Sequence, residues 1–425
     1  MHPREGWSEG GIRRRVPYSE ESAISRRQLL AGGAGLALAG LLAGCSSTNP
    51  AGASSAVPPL PRNTPHGAIK WPVYVDNKPI ASGLSPEKGA TLELYNWVAY
   101  INEAVVKSFC KKYDCKYSIT TFNTIEEALA KLNSGELKFD VFFPTVPVLG
   151  QLVAQKLIRP LNHSYIPNIT NVWADYRDPG QPFYDQDWQY TTPYSIYTTG
   201  MAWRKDKVNL APSWNMPWEG AAYKGKVAVL DDYRETISLA LLRAGITDLN
   251  TTSPAQINAA GRALSELSAL TGVRIDNNDY TDVPTGKTWI HHAWSGDMAS
   301  AASYLPKGTS IDTIGYWFPA DKKGPVANDL MVNLTTGSNP VLSHLFINYM
   351  LDVNNALENY SFVGYMQPLT AVTPHKLAKE QLLPPQLAST VVLPEYFRQG
   401  LFQLELPPAA DALWESTWNS FSKGL

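Results

Sequence analysis

The chain has 425 residues, 44% apolar and 11% aromatic, with 36 basic and 38 acidic side chains for a formal charge of −2. That size allows two or three domains, each with a full core. The even charge balance excludes the broad basic field that bulk nucleic-acid binding needs, so no nucleic-acid partner is expected.

The N-terminus reads as an address. Ser25-Arg26-Arg27-Gln28-Leu29-Leu30 carries a twin-arginine pattern, with Arg13, Arg14 and Arg15 upstream. The apolar run from Ala31 to Gly44 is too short for a bilayer-spanning helix, which takes roughly 20 residues. It suits the core of an export signal. The run ends Leu42-Ala43-Gly44-Cys45, which resembles a bacterial lipobox. The resemblance implies cleavage before Cys45, lipidation of that cysteine, and residence on the outer face of the cytoplasmic membrane, at the cell surface or in the periplasm. Each buried acyl methylene adds about 0.8 kcal/mol of anchoring. Residues 1–44 are assigned as the signal and 45–66, rich in Ser, Thr, Pro, Ala and Gly, as a flexible tether. Residues 67–90 are assigned as an N-terminal strap lying on the domain surface.

The folded part starts with alternation at Ala90, Leu92 and Leu94, a strand. It gives way to helical spacing at Val105, Val106 and Phe109. Caught between are Asn96, Trp97 and Tyr100, at the carboxyl end of a strand, where open α/β sheets bind ligands. A strand over 116–122, a helix opened by Asn123-Thr124-Ile125-Glu126-Glu127 and ended by Gly135, an apolar strand over 139–144 and a helix over 148–156 follow. The order β-α-β-α-β-α makes this half α/β. Thr145 stands at the end of the third strand. Residues 162–189, with Trp173, Phe183 and Trp188, read as loops and short helices on the surface.

Two extended segments, 189–195 and 199–204, mark a crossing into a second half. There a strand over 226–230 leads to Asp231-Asp232-Tyr233-Arg234-Glu235, where Asp232 and Glu235 share a face of the first helical turn. Acids there also cap a helix and complement its dipole. A helix opened by Ser253-Pro254 has apolar positions at 257, 260, 263, 264, 267 and 270. Strands are expected at 290–294, ending in Trp294, and at 311–317. The stretch 327–332 is the return crossing, with Asp329 at the hinge. Helices at 339–350, 354–360 and 409–422 surround the loop Gly364-Tyr365-Met366-Gln367.

Outside the cytoplasm, a disulfide between Cys110 and Cys115 is favoured over two free thiols. No His lies near them, so no metal site is expected. His291 and His292 face opposite sides of a strand. Ser108-x-x-Lys111 satisfies a hydrolase pattern but has no S-D-N or K-T-G companion. No enzyme activity and no cofactor are expected, a surface enzyme being the minor alternative.

The order of Leu94-Tyr95-Asn96-Trp97, Asp140-Val141-Phe142-Phe143-Pro144, Leu230-Asp231-Asp232-Tyr233-Arg234-Glu235, Trp294-Ser295-Gly296, Asn328-Asp329 and Gly364-Tyr365 resembles the spermidine/putrescine-binding lipoproteins of bacterial ABC importers. The resemblance covers about 91–423. It implies an α/β, two-lobe periplasmic-binding-protein fold of type II with a hinged interlobe cleft. Residues 91–197 plus 328–375 form lobe 1, and 198–327 plus 376–425 form lobe 2. It further implies a monomer that delivers a small cationic solute to membrane permease subunits. Matched onto this chain, Trp97, Tyr100 and Tyr365 are wall residues, Thr145 a small hydroxyl, Asp232 and Glu235 the acidic pair for one end of the solute. Trp294 is a stacking Trp, Asp329 the carboxylate for an inner amine, and Gln403 a late amide. The chain departs from that pattern at Pro147 and Ala327, where the family often has Tyr and Trp. Those losses leave open another solute, such as an opine-like amino-acid derivative, another amine or a metal complex.

Overall fold

Each strand of the first half is followed by a helix that covers the sheet, and the strands accordingly run parallel. A computed structural model describes residues 69–135, 137–177 and 185–424. The export signal, Cys45, the tether, the first two strap residues and Phe183 lie outside the described residues. In the first half, β1 (Thr91–Trp97) leads to α1 (Glu103–Tyr113), β2 (Lys116–Phe122), α2 (Ile125–Ser134), β3 (Val141–Phe142), α3 (Leu149–Ala154) and β4 (Ile158–Arg159). Strand β1 pairs in parallel with β2 and with β3. Asn102 caps α1 by accepting from the Ala104 amide, and Thr124 caps α2 by accepting from Glu127 N, while the Glu127 carboxylate reaches back to Asn123 N.

The crossing is one strand rather than two. Strand β5 (Thr191–Arg204) runs unbroken for 14 residues. The second half continues as α4 (Met216–Glu219), β6 (Val227–Val229), α5 (Tyr233–Arg243), α6 (Pro254–Thr271), β7 (Arg274–Ile275), α7 (Asp279–Thr285), β8 (Ile290–Trp294), α8 (Ser295–Ala299) and β9 (Ile314–Trp317). The expected strand at 311–317 begins only at Ile314. Ser310 accepts from Asp312 N and turns residues 311–313 into one tight helical turn. The chain returns through β10 (Val326–Leu334) and closes with α9 (Pro340–Met350), α10 (Val353–Val363), α11 (Pro374–Lys379), α12 (Pro394–Gln399) and α13 (Pro408–Ser422).

The strand order β2-β1-β3-β10-β5-β8-β6-β7, with β4 on β10 and β9 on β5, makes one sheet through both halves. Strand β5 exchanges partners midway. Residues 191–198 pair with β10, and from Thr199 onward the strand lies between β8 and β9. A Cβ at Gly200 would fall 2.1 Å from the Trp317 carbonyl, so only glycine admits β9 that closely. A larger core gathers Leu94, Val141, Phe142, Leu330 and Val332, and a smaller one Val229, Ile237, Leu264, Trp414 and Phe421. The segment expected in the second half divides: Leu377, Leu387 and Phe397 pack in the larger core, Leu406 and Trp414 in the smaller. Helix α6 buries Ile257, Ala260, Leu264 and Leu267, but Leu270 points to solvent with 39% exposure.

Residues 69–90 bind the first half by many small contacts. Trp71 is 2% exposed, Tyr190 donates to the Pro72 carbonyl at 2.7 Å, and Asn77 donates to the Ile158 carbonyl at 2.8 Å. The Glu87 carboxylate accepts from Val341 N and Leu342 N at 3.1 and 2.9 Å, satisfying amides at the start of α9. Truncation of a buried tryptophan leaves a cavity. Trp71→Ala is expected to lower unfolding stability by about 3–5 kcal/mol in denaturant titration.

Candidate functional site

Alternate residues of a strand share one face. Ser195, Tyr197 and Thr199 of β5 form such a row, and each hydroxyl bonds a buried carboxylate. The first carboxylate is Asp329, 5% exposed. It sits on β10 opposite Ser195, at a bulge where Leu330 already pairs with Pro193, and it bridges to Thr145. The bulge aims its side chain off the regular ladder. Asp329 Oδ2 accepts from the hydroxyls of Tyr100 at 2.6 Å and Ser195 at 3.4 Å, and Oδ1 from that of Tyr197 at 3.5 Å. Burial pushes its pKa up to about 7, against the downward pull of these three hydroxyls. Burial also holds the phenols of Tyr100 and Tyr197 far above their ordinary value, so they remain donors.

The loop from β1 to α1 brings Tyr100 to this point, and the Tyr194 hydroxyl donates to its carbonyl. Tyr365, after α10, sets its ring edge-on to Tyr100 at 4.8 Å and to Tyr197 at 5.4 Å. It packs on Gly296, where an added Cβ would meet the ring at 2.3 Å.

The second carboxylate is Glu235, 4% exposed, in the first turn of α5. Asp232 caps that helix by accepting from Glu235 N at 3.0 Å. Glu235 Oε1 accepts from the Thr199 hydroxyl at 3.0 Å and from the Trp294 indole nitrogen at 3.2 Å, while Oε2 is buried with no hydrogen-bond partner among the described residues. Burial raises the pKa of both acids, and the charge of Asp232 raises Glu235 further. Tyr197 joins the two groups, since its phenol feels Asp329, Glu235 and Asp232 together.

Arg234 turns away from these acids. Its guanidinium donates to the carbonyls of Leu404 and Leu249 and to Asn250 Oδ1, and lies 4.9 Å over the Trp414 ring. It thereby fixes the segment carrying Gln403, whose amide donates to Ser238 one turn along α5 from Glu235, at 3.3 Å. Trp97 is held within the first half: its indole nitrogen donates to the Phe143 carbonyl at 2.9 Å and its ring tilts on Phe122. Pro147 lies in a tight turn after Thr145, and Ala327 pairs across the ladder with Tyr197. Thus Tyr100, Thr145, Asp329 and Tyr365 come together, as do Asp232, Glu235 and Trp294. Among the described residues, no hydrogen bond joins Trp97 or Gln403 to either cluster. Two surface hollows, about 690 Å³ along α13 and about 190 Å³ between α5 and α6, touch none of the three site carboxylates.

Ser195, Tyr197 and Thr199 join the candidate site through their bonds to Asp329 and Glu235, and sequence reading does not single them out. Their alternation was present as a signal, but the expected break at 196–198 hid it. Elsewhere, His291 meets Asp276 at 3.4 Å, and burial lowers the His292 pKa to about 3, so that ring is neutral. The thiols of Cys110 and Cys115 are both free, 2.9 Å apart.

Two α/β halves threaded by shared strands, with acids and rings converging from both, define a two-lobe solute-binding protein. A family model described as bacterial extracellular solute-binding protein matches residues 104–385, and the chain belongs to that family. It is 27% identical over 328 residues to a putrescine/cadaverine-binding protein of Pseudomonas aeruginosa, covering 75% of this chain and 88% of that one. It is 26% identical over 341 residues to the spermidine/putrescine-binding periplasmic protein of Escherichia coli, covering 79% and 92%. The fold is shared with a spermidine/putrescine ABC transporter substrate-binding protein of Streptococcus pneumoniae, with TM-score 0.62, 22% identity, and coverage of 79% of this chain and 99% of that one.

A carboxylate whose folded pKa is raised contributes stability below its unfolded pKa and loses it as pH rises through the folded value. A tenfold difference in proton affinity between the folded and unfolded chain corresponds to about 1.4 kcal/mol. The unliganded protein is therefore expected to lose stability between the ordinary carboxylate range and pH above about 7. Asp329→Asn should raise the melting temperature at pH 8 and flatten that profile. Gly296→Ala should cost about 1–3 kcal/mol by overpacking, and Tyr365→Ala in the same chain should relieve the clash.

Proposed function

We propose that this chain is a lipid-anchored binding protein, acting as a monomer, that captures a polyamine between its halves and delivers it to an ABC importer. One observation carries the reading: Asp232, Glu235 and Asp329 are brought beside aromatic rings, and their hydrogen bonds come from hydroxyls, an indole and a backbone amide. None of the ion pairs among the described residues includes them. Buried carboxylates without a cation of their own suit a guest that supplies the cations. Ammonium groups form charge-assisted hydrogen bonds with carboxylates, strengthened where water is excluded. Tyr100, Tyr197, Tyr365 and Trp294 offer rings to methylenes and cations alike. The names of the relatives, similar over three quarters of this chain, support the same solute class.

Export by the twin-arginine route, lipidation at Cys45, and division into lobes at 197/198 and 327/328 belong to the same proposal. So does oxidation of Cys110 and Cys115 after export. In that step, a thiol–disulfide oxidant takes two electrons and each thiol loses its proton. Intact mass before and after reduction reads this as a difference of two hydrogens, and equal masses reject it.

A ligand that binds only the native state raises its melting temperature by mass action. Putrescine or spermidine is expected to do so for residues 46–425; stabilisation by neutral sugars alone would refute the polyamine reading. Removing one partner of a buried charge pair costs about 2–5 kcal/mol, so Asp232→Asn and Asp329→Asn should each weaken amine binding by that amount in calorimetry. The amines stay protonated near neutrality while Asp329 takes up a proton as pH falls through about 7. Affinity should therefore decline toward acid pH.

A further inference from the structure

We infer that Gly296, Ser300 and Gly364 form the stop against which the two halves close, and that this backbone contact positions Trp294 and Tyr365 on one guest. The inference rests on capture between the halves and holds for whichever solute the cleft takes. Gly296 lies in the first turn of α8 in the second half, two residues after Trp294. Gly364 ends α10, which packs on α1 and α9 of the first half, and it immediately precedes Tyr365. The two glycines thus meet from opposite halves.

Each keeps space clear for the other side. A Cβ at Gly364 would land on the Gly296 carbonyl oxygen and stand 3.0 Å from both the amide nitrogen and the Cβ of Ser300. A Cβ at Gly296 would land on the Tyr365 ring. Local backbone shape does not account for either residue. Gly364 caps α10 in the left-handed region with φ of 76°, yet α1 ends in the same region with Asp114 at φ of 53°, so such a cap admits a side chain in this fold. Gly135 caps α2 in that region too, and a Cβ there would meet nothing within 4 Å. At Gly364 the space is instead taken by the backbone of the other half. Gly296 has no positive φ, and inside a helix glycine costs about 1 kcal/mol against alanine. The nearby ring of Tyr365 is what excludes the alanine.

Glycine lets backbones approach closely, and no side chain is present to rotate out of the way, so the approach has one depth. That depth matters because of what each side carries. The Trp294 indole bonds Glu235, while Tyr365 stands edge-on to Tyr100, which bonds Asp329. The stop therefore sets how near the Glu235 group comes to the Asp329 group. Binding groups work within about 0.5 Å of their productive positions, so a side chain wedged at position 364 would hold them out of register. Gly296, Ser300 and Gly364 are accordingly positioning residues that need not touch the guest.

Two variants of residues 46–425 test this. In the double variant Ser300→Cys, Gly364→Cys the two Cβ atoms start 3.0 Å apart, and a widening of about 0.8 Å reaches the usual disulfide separation of about 3.8 Å. Under a thiol–disulfide oxidant, peptide mapping is expected to find the cross-link between positions 300 and 364, forming faster with putrescine or spermidine present. Gly364→Asn keeps a residue that tolerates the left-handed cap but fills the space between the halves. It is expected to weaken amine binding in calorimetry about tenfold or more, the scale of an overpacked contact. Gly135→Asn, the same exchange where the space is open, should leave affinity unchanged. Absence of the cross-link from the folded double variant, or unaltered affinity in folded Gly364→Asn, overturns the stop while leaving polyamine capture intact. If the unaltered protein binds neither amine, the polyamine reading fails and the cross-link alone decides the stop.

Discussion

Burying a carboxylate without a cation is the costly act on which this fold turns. Asp329 and Glu235 are nearly inaccessible, yet each is held only by neutral donors. Hydroxyls and an indole restore part of the lost solvation, but they do not cancel charge. Burial raises the pKa of Asp329 despite these donors. A protein selected for stability alone would have replaced these groups by apolar ones. Their retention where two halves meet makes sense if an outside cation completes the set.

The chain places these groups by using its two through-running strands as the site rather than as linkers. Ser195, Tyr197 and Thr199 on β5, and Asp329 on β10, belong to the hydrogen-bonded centre of the sheet. Only the flanking groups come from loops and helix starts: Tyr100 and Tyr365 on one side, Asp232, Glu235 and Trp294 on the other. Groups built on strands keep their spacing as the flanks adjust.

Much of this was legible in the sequence because local rules and global fold agree. The alternating elements, the caps at Thr124 and Asp232, and the strand ends at Trp97 and Trp294 all stand where periodicity placed them. The acids at 232 and 235 were visible as a pair because a first helical turn brings residues three apart onto one face. Their partners were not. Strand β5 is buried on both faces, so its apolar and polar residues do not alternate cleanly, and it read as two extended segments with a gap at 196–198. The bulge beside Asp329 absorbs the irregularity near Pro193, and the close approach of β9 requires Gly200. Leu270 shows the opposite failure: a position in helical register that faces water, since periodicity identifies a stripe but not where its packing partner ends.

Charge also links capture to closure. Asp329 and Glu235 are both buried, and with a negative charge on each they repel one another. That repulsion opposes bringing the halves together in the absence of a guest. A dication placing one ammonium against each carboxylate would offset that repulsion with two attractive pairings. A neutral solute offsets nothing, and a monocation satisfies one carboxylate only. Closure is favoured only by contacts that differ between the open and closed forms. Under the polyamine reading those contacts would be the pairings of Asp329 and Glu235 with ammonium groups of one guest, so that capture of the guest and shutting of the cleft would draw on the same interaction.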